Sequence, residues 1–157
     1  MDALPVNYSV CPLRDFFEEQ EDEYSLLAQQ HKLIFSMNID SIPEIDVSMD
    51  VTIVHRLIEN VISNALRFAK SSIVLNAGWS NDMLSISISD DGPGFSEQAL
   101  HSATEPFYKE NTENDHFGLG LSICNTLCQK HHGRLMLSNS DGACITIFIK
   151  AKKFEQD

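Results

Sequence analysis

The sequence predicts an α+β fold, a sheet covered on one face by helices, within a single domain spanning residues 1–157. Two observations lead there. Helical periodicity and strand-like runs alternate along the chain with no repeat and no low-complexity linker between them. The chain also has 157 residues, of which 43% are hydrophobic, enough for one real core.

The elements follow in order. Residues 1–12 start as a loop and an edge strand around Asn7 to Cys11. Pro12 to about Gln30 reads as a helix, with Leu13, Phe16, Phe17, Tyr24, Leu27 and Ala28 at apolar spacing. Its acidic run, Glu18 to Glu23, is a solvated face. Lys32 to Ile39 and Ile45 to Ser48 read as short strands around a turn near Pro43. Asp50 is a candidate N-cap for a helix running to about Ala69. Strands follow near Ile73 to Ala77 and Leu84 to Ser89, joined by a turn at Asn81-Asp82. Ser96 to His101 reads as a short helix inside a polar stretch, and Gly118 to His132 as a longer one. Arg134 to Ser138 and Cys144 to Ile149 close the fold as a hairpin around Asp141-Gly142. The tail, residues 151–157, is charged and is expected to be disordered.

Charge narrows the partners. The formal net charge is −12, which disfavours unspecific binding to DNA or anionic lipid. A nucleotide would be repelled at long range, so an ATP site needs local cations and a metal ion. No apolar run approaches the ~20 residues needed to cross a bilayer. The N-terminus lacks the basic-then-apolar order of a secretory signal. The four cysteines, Cys11, Cys124, Cys128 and Cys144, are read as reduced thiols in a cytoplasmic setting. Cys124, Cys128 and His131 share a helix face at i, i+4 and i+7. With no fourth ligand in view, they read as small buried residues and a helix end rather than a metal site.

Three segments carry chemistry. On the helix after Asp50, Val54, Leu57, Ile58, Val61, Ile62, Ala65 and Leu66 make the buried stripe. Asn60, Asn64 and Arg67 lie on another face. Amide oxygens suit hard Mg²⁺, and Arg suits phosphate, although exposed asparagines can also be merely solvated. The second segment is Asp90-Asp91-Gly92-Pro93-Gly94-Phe95, directly after a strand. Asp90 can accept a hydrogen bond from an exocyclic amine such as that of adenine, while Gly92 and Gly94 permit positive φ and close approach of a flat ring. Alone, the same residues also make an ordinary turn. The third segment, Gly118-Leu119-Gly120-Leu121, is expected to open a helix, whose free N–H groups attract phosphate; close packing is the other use of such glycines. No Gly-Lys-Ser/Thr follows, so it is not a Walker loop. Between the glycine segments, Glu105-Pro106-Phe107-Tyr108-Lys109 starts a polar loop of the kind that forms lids, with Lys109 able to reach phosphate.

In this order the segments resemble the ATP-binding catalytic domain of sensor histidine kinases. That family shares a superfamily with gyrase, the heat-shock chaperone ATPase and the mismatch-repair ATPase. The resemblance covers about Asp50 to Ile149 well and the N-terminal region loosely. It implies a two-layer α+β sandwich whose sheet is mixed and mostly antiparallel, with an ATP lid at about residues 101–117. Glu59 to Phe68 resembles the N box. Asn60 and Asn64 would then hold Mg²⁺ and phosphate, Arg67 would touch phosphate, and Phe68 would pack near adenine. Asp90 to Phe95 resembles the first glycine box, with Asp90 on the adenine amine. Glu105 to Lys109 resembles the F box, adding Tyr108 and Lys109 to the nucleotide contacts. Gly118 to Leu121 resembles the second glycine box, and Gly142 the last glycine position. The implied catalytic set is Asn60, Arg67 and Lys109, with ATP and Mg²⁺ as the bound species.

The sequence departs from the pattern at three places. His116-Phe117 replaces Gly-Thr before Gly118. Thr104 stands where an extra aromatic is common. Ala143-Cys144 stands where Ser or Thr often supports the adenine-binding carboxylate. Asn60 also occupies the position where hydrolysing relatives carry a glutamate base, and Glu59 points about 100 degrees away around the helix. The resemblance thus implies phosphoryl transfer to a protein histidine rather than fast hydrolysis. None of His31, His55, His101, His116, His131 and His132 has the acceptor context, so the acceptor is expected on a separate helical dimerisation domain, with a response regulator downstream. The full-length protein is expected to be a dimer, with any membrane anchor in segments outside this chain. A non-catalytic nucleotide-sensing module of the same fold is the alternative. A serine kinase of the anti-sigma type fits less well without the glutamate base.

Overall fold

The computed structural model describes residues 5–102 and 116–155. The elements run β1 (Ser9–Pro12), α1 (Leu13–Gln30), β2 (Ile34–Ser41), β3 (Asp46–Met49), α2 (Val51–Phe68), β4 (Ser72–Ser80), β5 (Met83–Asp90), α3 (Glu97–Ser102), α4 (His116–Lys130), β6 (Arg134–Asn139), β7 (Ala143–Lys150) and β8 (Lys152–Lys153). The architecture is α+β, as the sequence predicts. The main sheet has the order β2-β4-β5-β7-β6. It is mixed, because β2 and β4 are parallel while the other neighbours are antiparallel.

Alternation in the strands gives the sheet its sidedness. Ile73, Leu75 and Ala77 of β4, Leu84, Ile86 and Ile88 of β5, and Ile145, Ile147 and Ile149 of β7 are all buried. Register stacks them, with Ile86 between Ala77 and Ile147, and Ile88 between Leu75 and Ile145. The intervening Ser85, Ser87 and Ser89 are half-buried on the opposite face, where the Ser87 and Thr146 hydroxyls lie 3.0 Å apart. Helices α2 and α4 pack against one another and on this sheet.

Helix α2 forms against weak local propensity. Val51, Thr52, Ile53, Val54, Ile58, Val61 and Ile62 are β-branched, and each costs some tenths of a kcal/mol (~0.5) relative to alanine. Burial outweighs this. Val54, Leu57, Ile58, Val61 and Ile62 are almost fully enclosed, and each such side chain contributes about 1.5–3 kcal/mol. The helix starts where expected: Asp50 Oδ1 accepts the Ile53 amide at 3.0 Å. Asp50 also joins three parts of the chain. Its Oδ2 accepts the Asn7 amide at 2.8 Å, and its own amide donates to His131 Nε2 at 2.9 Å, beyond the end of α4.

Helix α1 is held to α2 by side chains. Gln20 Nε2 donates to the Phe16 carbonyl, fixing Oε1 as an acceptor for the Tyr24 hydroxyl at 2.6 Å and for His55 Nδ1 of α2 at 2.7 Å. Burial, followed by Glu59 and Glu23, raises the Tyr24 pKa above that of an ordinary phenol. Arg14 donates to the carbonyls of Ile39 and Ile42, tying the start of α1 to the end of β2.

Two expectations are corrected. A second sheet, β1-β3-β8, stands beside the main one. Its last strand comes from the tail expected to be disordered. Ala151 is fully buried, and its carbonyl accepts the Trp79 indole N–H at 2.8 Å. Its amide donates to the Asp82 carbonyl, Lys153 N reaches Asp82 Oδ1, and Phe154 N reaches the Asp46 carbonyl. Backbone pairing satisfies this segment despite its charged side chains. Residues 156 and 157 lie outside the described residues. Among the described residues, no helix is long and apolar enough to cross a membrane.

Truncation after Lys150 should therefore lower unfolding free energy by about 2 kcal/mol or more, since several groups, Trp79 Nε1–H among them, lose their partners. Urea unfolding followed by Trp79 fluorescence checks this; an unchanged midpoint would mean the tail contributes no stability.

Candidate functional site

The N-box-like residues sit on the second half of α2. Asn60 and Arg67 are exposed, and Asn64 and Phe68 are half-buried. Asn60 hydrogen-bonds the thiol of Cys124, so its face of α2 is turned toward α4. Cys124 is fully buried; burial pushes its thiol up to about 11, and the Asn60 contact acts the other way. Cys128 is pushed up to about 12, by burial first and then by Cys124. Both thiols are core residues of α4, and the neighbouring His131 is buried with Nε2 engaged by the Asp50 amide. Burial lowers the His131 pKa, which keeps Nε2 available as that acceptor.

Glu59 faces elsewhere. Its carboxylate lies 3.1 Å from His55 Nε2, on the side of α2 that meets Gln20 of α1. The adjacent glutamate thus pairs with His55 within α2 and points away from the face of Asn60, as its angular position predicts.

The end of α2 abuts the glycine loop. A Cβ placed on Gly92 would overlap the Phe68 carbonyl oxygen and sit 2.9 Å from Asp90 Oδ1. Gly94 alone of this pair has positive φ, at +83°. The expected reason for Gly92 is therefore corrected: close backbone packing, not a left-handed conformation, demands glycine there. Gly142, with φ +139°, passes so near the Asp90 carbonyl that a Cβ would overlap it. Three segments thus converge at Asp90 with no room for side chains between them.

Asp90 ends β5 half-buried. Its Oδ1 accepts the Gly92 amide at 2.7 Å. Burial raises its pKa, opposed by hydrogen bonds from the Gly92 and Ala143 amides and reinforced by Asp91. At Ala143-Cys144, where the sequence departs from the family's Ser or Thr, the Ala143 backbone amide supports the carboxylate.

Asp91, which the sequence reading left without a role, is a fastener. Its carboxylate accepts the amides of Lys70, Ser71 and Ser72 and the Ser71 hydroxyl. These bonds hold its pKa well below the ordinary aspartate value of 3.8, the Ser71 hydroxyl contributing most. They bind the turn after α2 to the glycine loop. The local sequence gives no sign of it, because the partners lie about twenty residues upstream.

Arg67 and Phe68 are neighbours, the guanidinium lying 5.9 Å from the ring centroid. With His31, Ser63 and Leu66 they line an open cavity of about 510 Å³. His31 follows α1, and its place beside Phe68 was not foreseen.

The second glycine segment opens a helix, as expected: α4 spans His116–Lys130, with Gly118-Leu119-Gly120 in its first turns. Leu121 is buried in the core at 2% exposure. Tyr108, Lys109, Thr104 and most of the expected lid lie outside the described residues.

A helix-backed mixed sheet, with an asparagine-bearing helix packed against a glycine loop that closes on a strand-end aspartate, is the architecture of an ATP-binding domain. The chain belongs to the histidine kinase-, DNA gyrase B- and HSP90-like ATPase family, whose pattern matches residues 49–153. Among curated proteins it is 28% identical to the sensor protein BasS of Escherichia coli over 128 residues, covering 81% of this chain and 35% of that protein. It is 31% identical to the C4-dicarboxylate transport sensor protein DctB of Pseudomonas aeruginosa over 129 residues, covering 76% of this chain and 21% of that protein. The chain thus spans about a third or less of these relatives. Its fold matches the nucleotide-free catalytic domain of histidine kinase ThkA at TM-score 0.79 and 20% identity, covering 92% and 95% of the two chains. It also matches full-length ShkA in complex with AMPPNP at TM-score 0.76 and 19% identity, covering 98% of this chain and 33% of that one.

The Asp91 fastener has a pH signature. A carboxylate with a depressed folded-state pKa adds stability that is present above the unfolded value and lost as pH falls through the folded value. Asp91→Asn should therefore be less stable than the parent at neutral pH, with the gap narrowing below about pH 4. Unfolding midpoints across that range check this; a gap independent of pH would remove the charge from the explanation.

Proposed function

We propose that this chain binds Mg²⁺-ATP and donates the γ-phosphoryl group to a histidine on a separate helical dimerisation domain of a two-component sensor kinase. The observation that carries this reading is the convergence at Asp90: a half-buried carboxylate, already held by two amides, at the junction of α2 and the glycine loop. It fits an adenine amine, which would replace water as donor to the remaining lone pairs. Asn60, Asn64 and Arg67 extend along α2 from that end. Their donor set, two amide oxygens and a guanidinium, fits Mg²⁺ and phosphate oxygens. Bound Mg²⁺ would supply neutralisation of phosphate charge. Asn64 and Arg67 would orient the triphosphate, and Lys109 would add a cation from the lid.

In the transfer, the acceptor imidazole nitrogen forms a bond to the γ-phosphorus as the bond to the bridging oxygen breaks, and ADP departs with the electron pair. Positioning and charge neutralisation supply the catalysis. Asn60 cannot take a proton from water as a carboxylate would, and Glu59 is turned toward His55, so hydrolysis should be slow. A response regulator aspartate would receive the phosphoryl group next. The whole protein would act as a dimer, with this domain on the cytoplasmic side if the protein is membrane-anchored.

Asn64→Ala should weaken Mg²⁺-ATP binding by about a hundredfold or more in calorimetry; undiminished affinity would refute its role. Mixing the chain with a cognate dimerisation domain and labelled ATP should label that domain's histidine, whereas the chain alone should stay unlabelled. Nucleotide binding without transfer would favour a regulatory module.

Adenine affinity should also depend on pH. The amine donates to the ionised form of Asp90, whose pKa is raised in the free protein. Affinity should be full above that pKa and fall as pH drops through it. Titrations with ADP between about pH 8 and pH 4 check the sign.

A further inference from the structure

The glycine loop from Gly92 to Phe95 is tied at its far end by a residue outside every motif singled out in the sequence. Asn139 ends β6, the outer strand of the main sheet. Its Oδ1 accepts the Phe95 amide at 2.8 Å, and its Nδ2 donates to the Phe95 carbonyl at 2.9 Å. A side-chain amide has the same donor and acceptor as a peptide group, so this pair makes a two-bond bridge and extends the sheet to the loop. The backbone makes room for it. Gly94 adopts φ +83°, and a Cβ there would lie 2.9 Å from Asn139 Oδ1. At the near end, Gly92 is held by Asp90 Oδ1 at 2.7 Å and packs on the Phe68 carbonyl. Only Pro93 and Gly94 lie between the two anchors, and Phe95 itself is buried.

We infer that Asn139 is a positioning residue for nucleotide binding: its amide bridge to Phe95 pre-organises the glycine loop beside Asp90, so that the loop does not have to be ordered by the ligand. This rests on the reading of Asp90 as the adenine-binding carboxylate. Aspartate or alanine cannot replace the amide. Alanine removes both bonds, and a carboxylate keeps the bond from the Phe95 amide but sets two acceptors against each other at the Phe95 carbonyl. Protonation of that carboxyl restores a donor.

The chain, Asn139→Ala and Asn139→Asp are titrated with Mg²⁺-ATP and with ADP at about pH 8 and about pH 4, where an aspartate carboxyl becomes substantially protonated, and at temperatures well below their unfolding midpoints. Two lost hydrogen bonds predict affinity about three- to tenfold weaker for Asn139→Ala, by the same factor for ATP and ADP, because the loop lies at the adenine end. For Asn139→Asp, the ratio of its Kd to that of the parent should be largest at the higher pH and approach one at the lower. Unchanged affinity in Asn139→Ala overturns the inference. So does a lowered melting temperature accompanied by no pH-dependent recovery in Asn139→Asp, which would make the bridge a stabilising contact only. If the parent chain binds neither nucleotide, the functional reading fails on its own. The bridge is then judged by amide hydrogen exchange at Phe95, which Asn139→Ala should accelerate severalfold in the absence of ligand; unaltered exchange overturns it.

Discussion

The site depends on how closely three backbone segments approach one another at the end of β5. Phe68, closing α2, reaches Gly92, and Gly142, in the turn between β6 and β7, reaches Asp90. A methyl group at either glycine would overlap a carbonyl oxygen that cannot move without moving an element. The packing of α2 on the sheet and the placing of a carboxylate at the sheet's end are therefore one constraint. Asp91 reinforces it from the same loop through the turn after α2. The helix cannot slide along the sheet without breaking those bonds.

The division of labour between the two aspartates follows from their surroundings. Asp91 meets only donors, and its charge is stabilised. Asp90 is desolvated beside it, and two amides offset only part of that penalty. One carboxylate is spent on architecture, and its neighbour is left with unfilled acceptor capacity in a partly dry setting. Such a poised group suits the amine recognition proposed for Asp90.

Much of this was legible in the chain. The apolar stripe of α2, the Asp50 cap and the alternation in β5 gave the helix, its start and the sheet's dry face, because burial imposes a period on the sequence. The pairing of asparagines with a glycine loop was legible as a pattern of types. What escaped had no period. The strand at Lys152 is two charged residues whose backbone bonds alone matter. Asp91 and Asn139 act through partners about twenty and forty-four positions away, and each reads locally as a turn residue.

The order of strands has a kinetic consequence. The β4–β5 hairpin turns through Asn81 and Asp82, both with positive φ, the requirement of a two-residue type I′ connection. It closes over a very short span of chain. By contrast, β2 reaches β4 only after β3 and α2 have intervened, and β5 meets β7 across α3, α4 and β6. Loop-closure entropy must be met before such distant pairings stabilise anything. Chain topology thus places the smallest closure cost at the Asn81 hairpin and a larger one at the β2 edge, where the strand pairs in parallel across an intervening strand and helix.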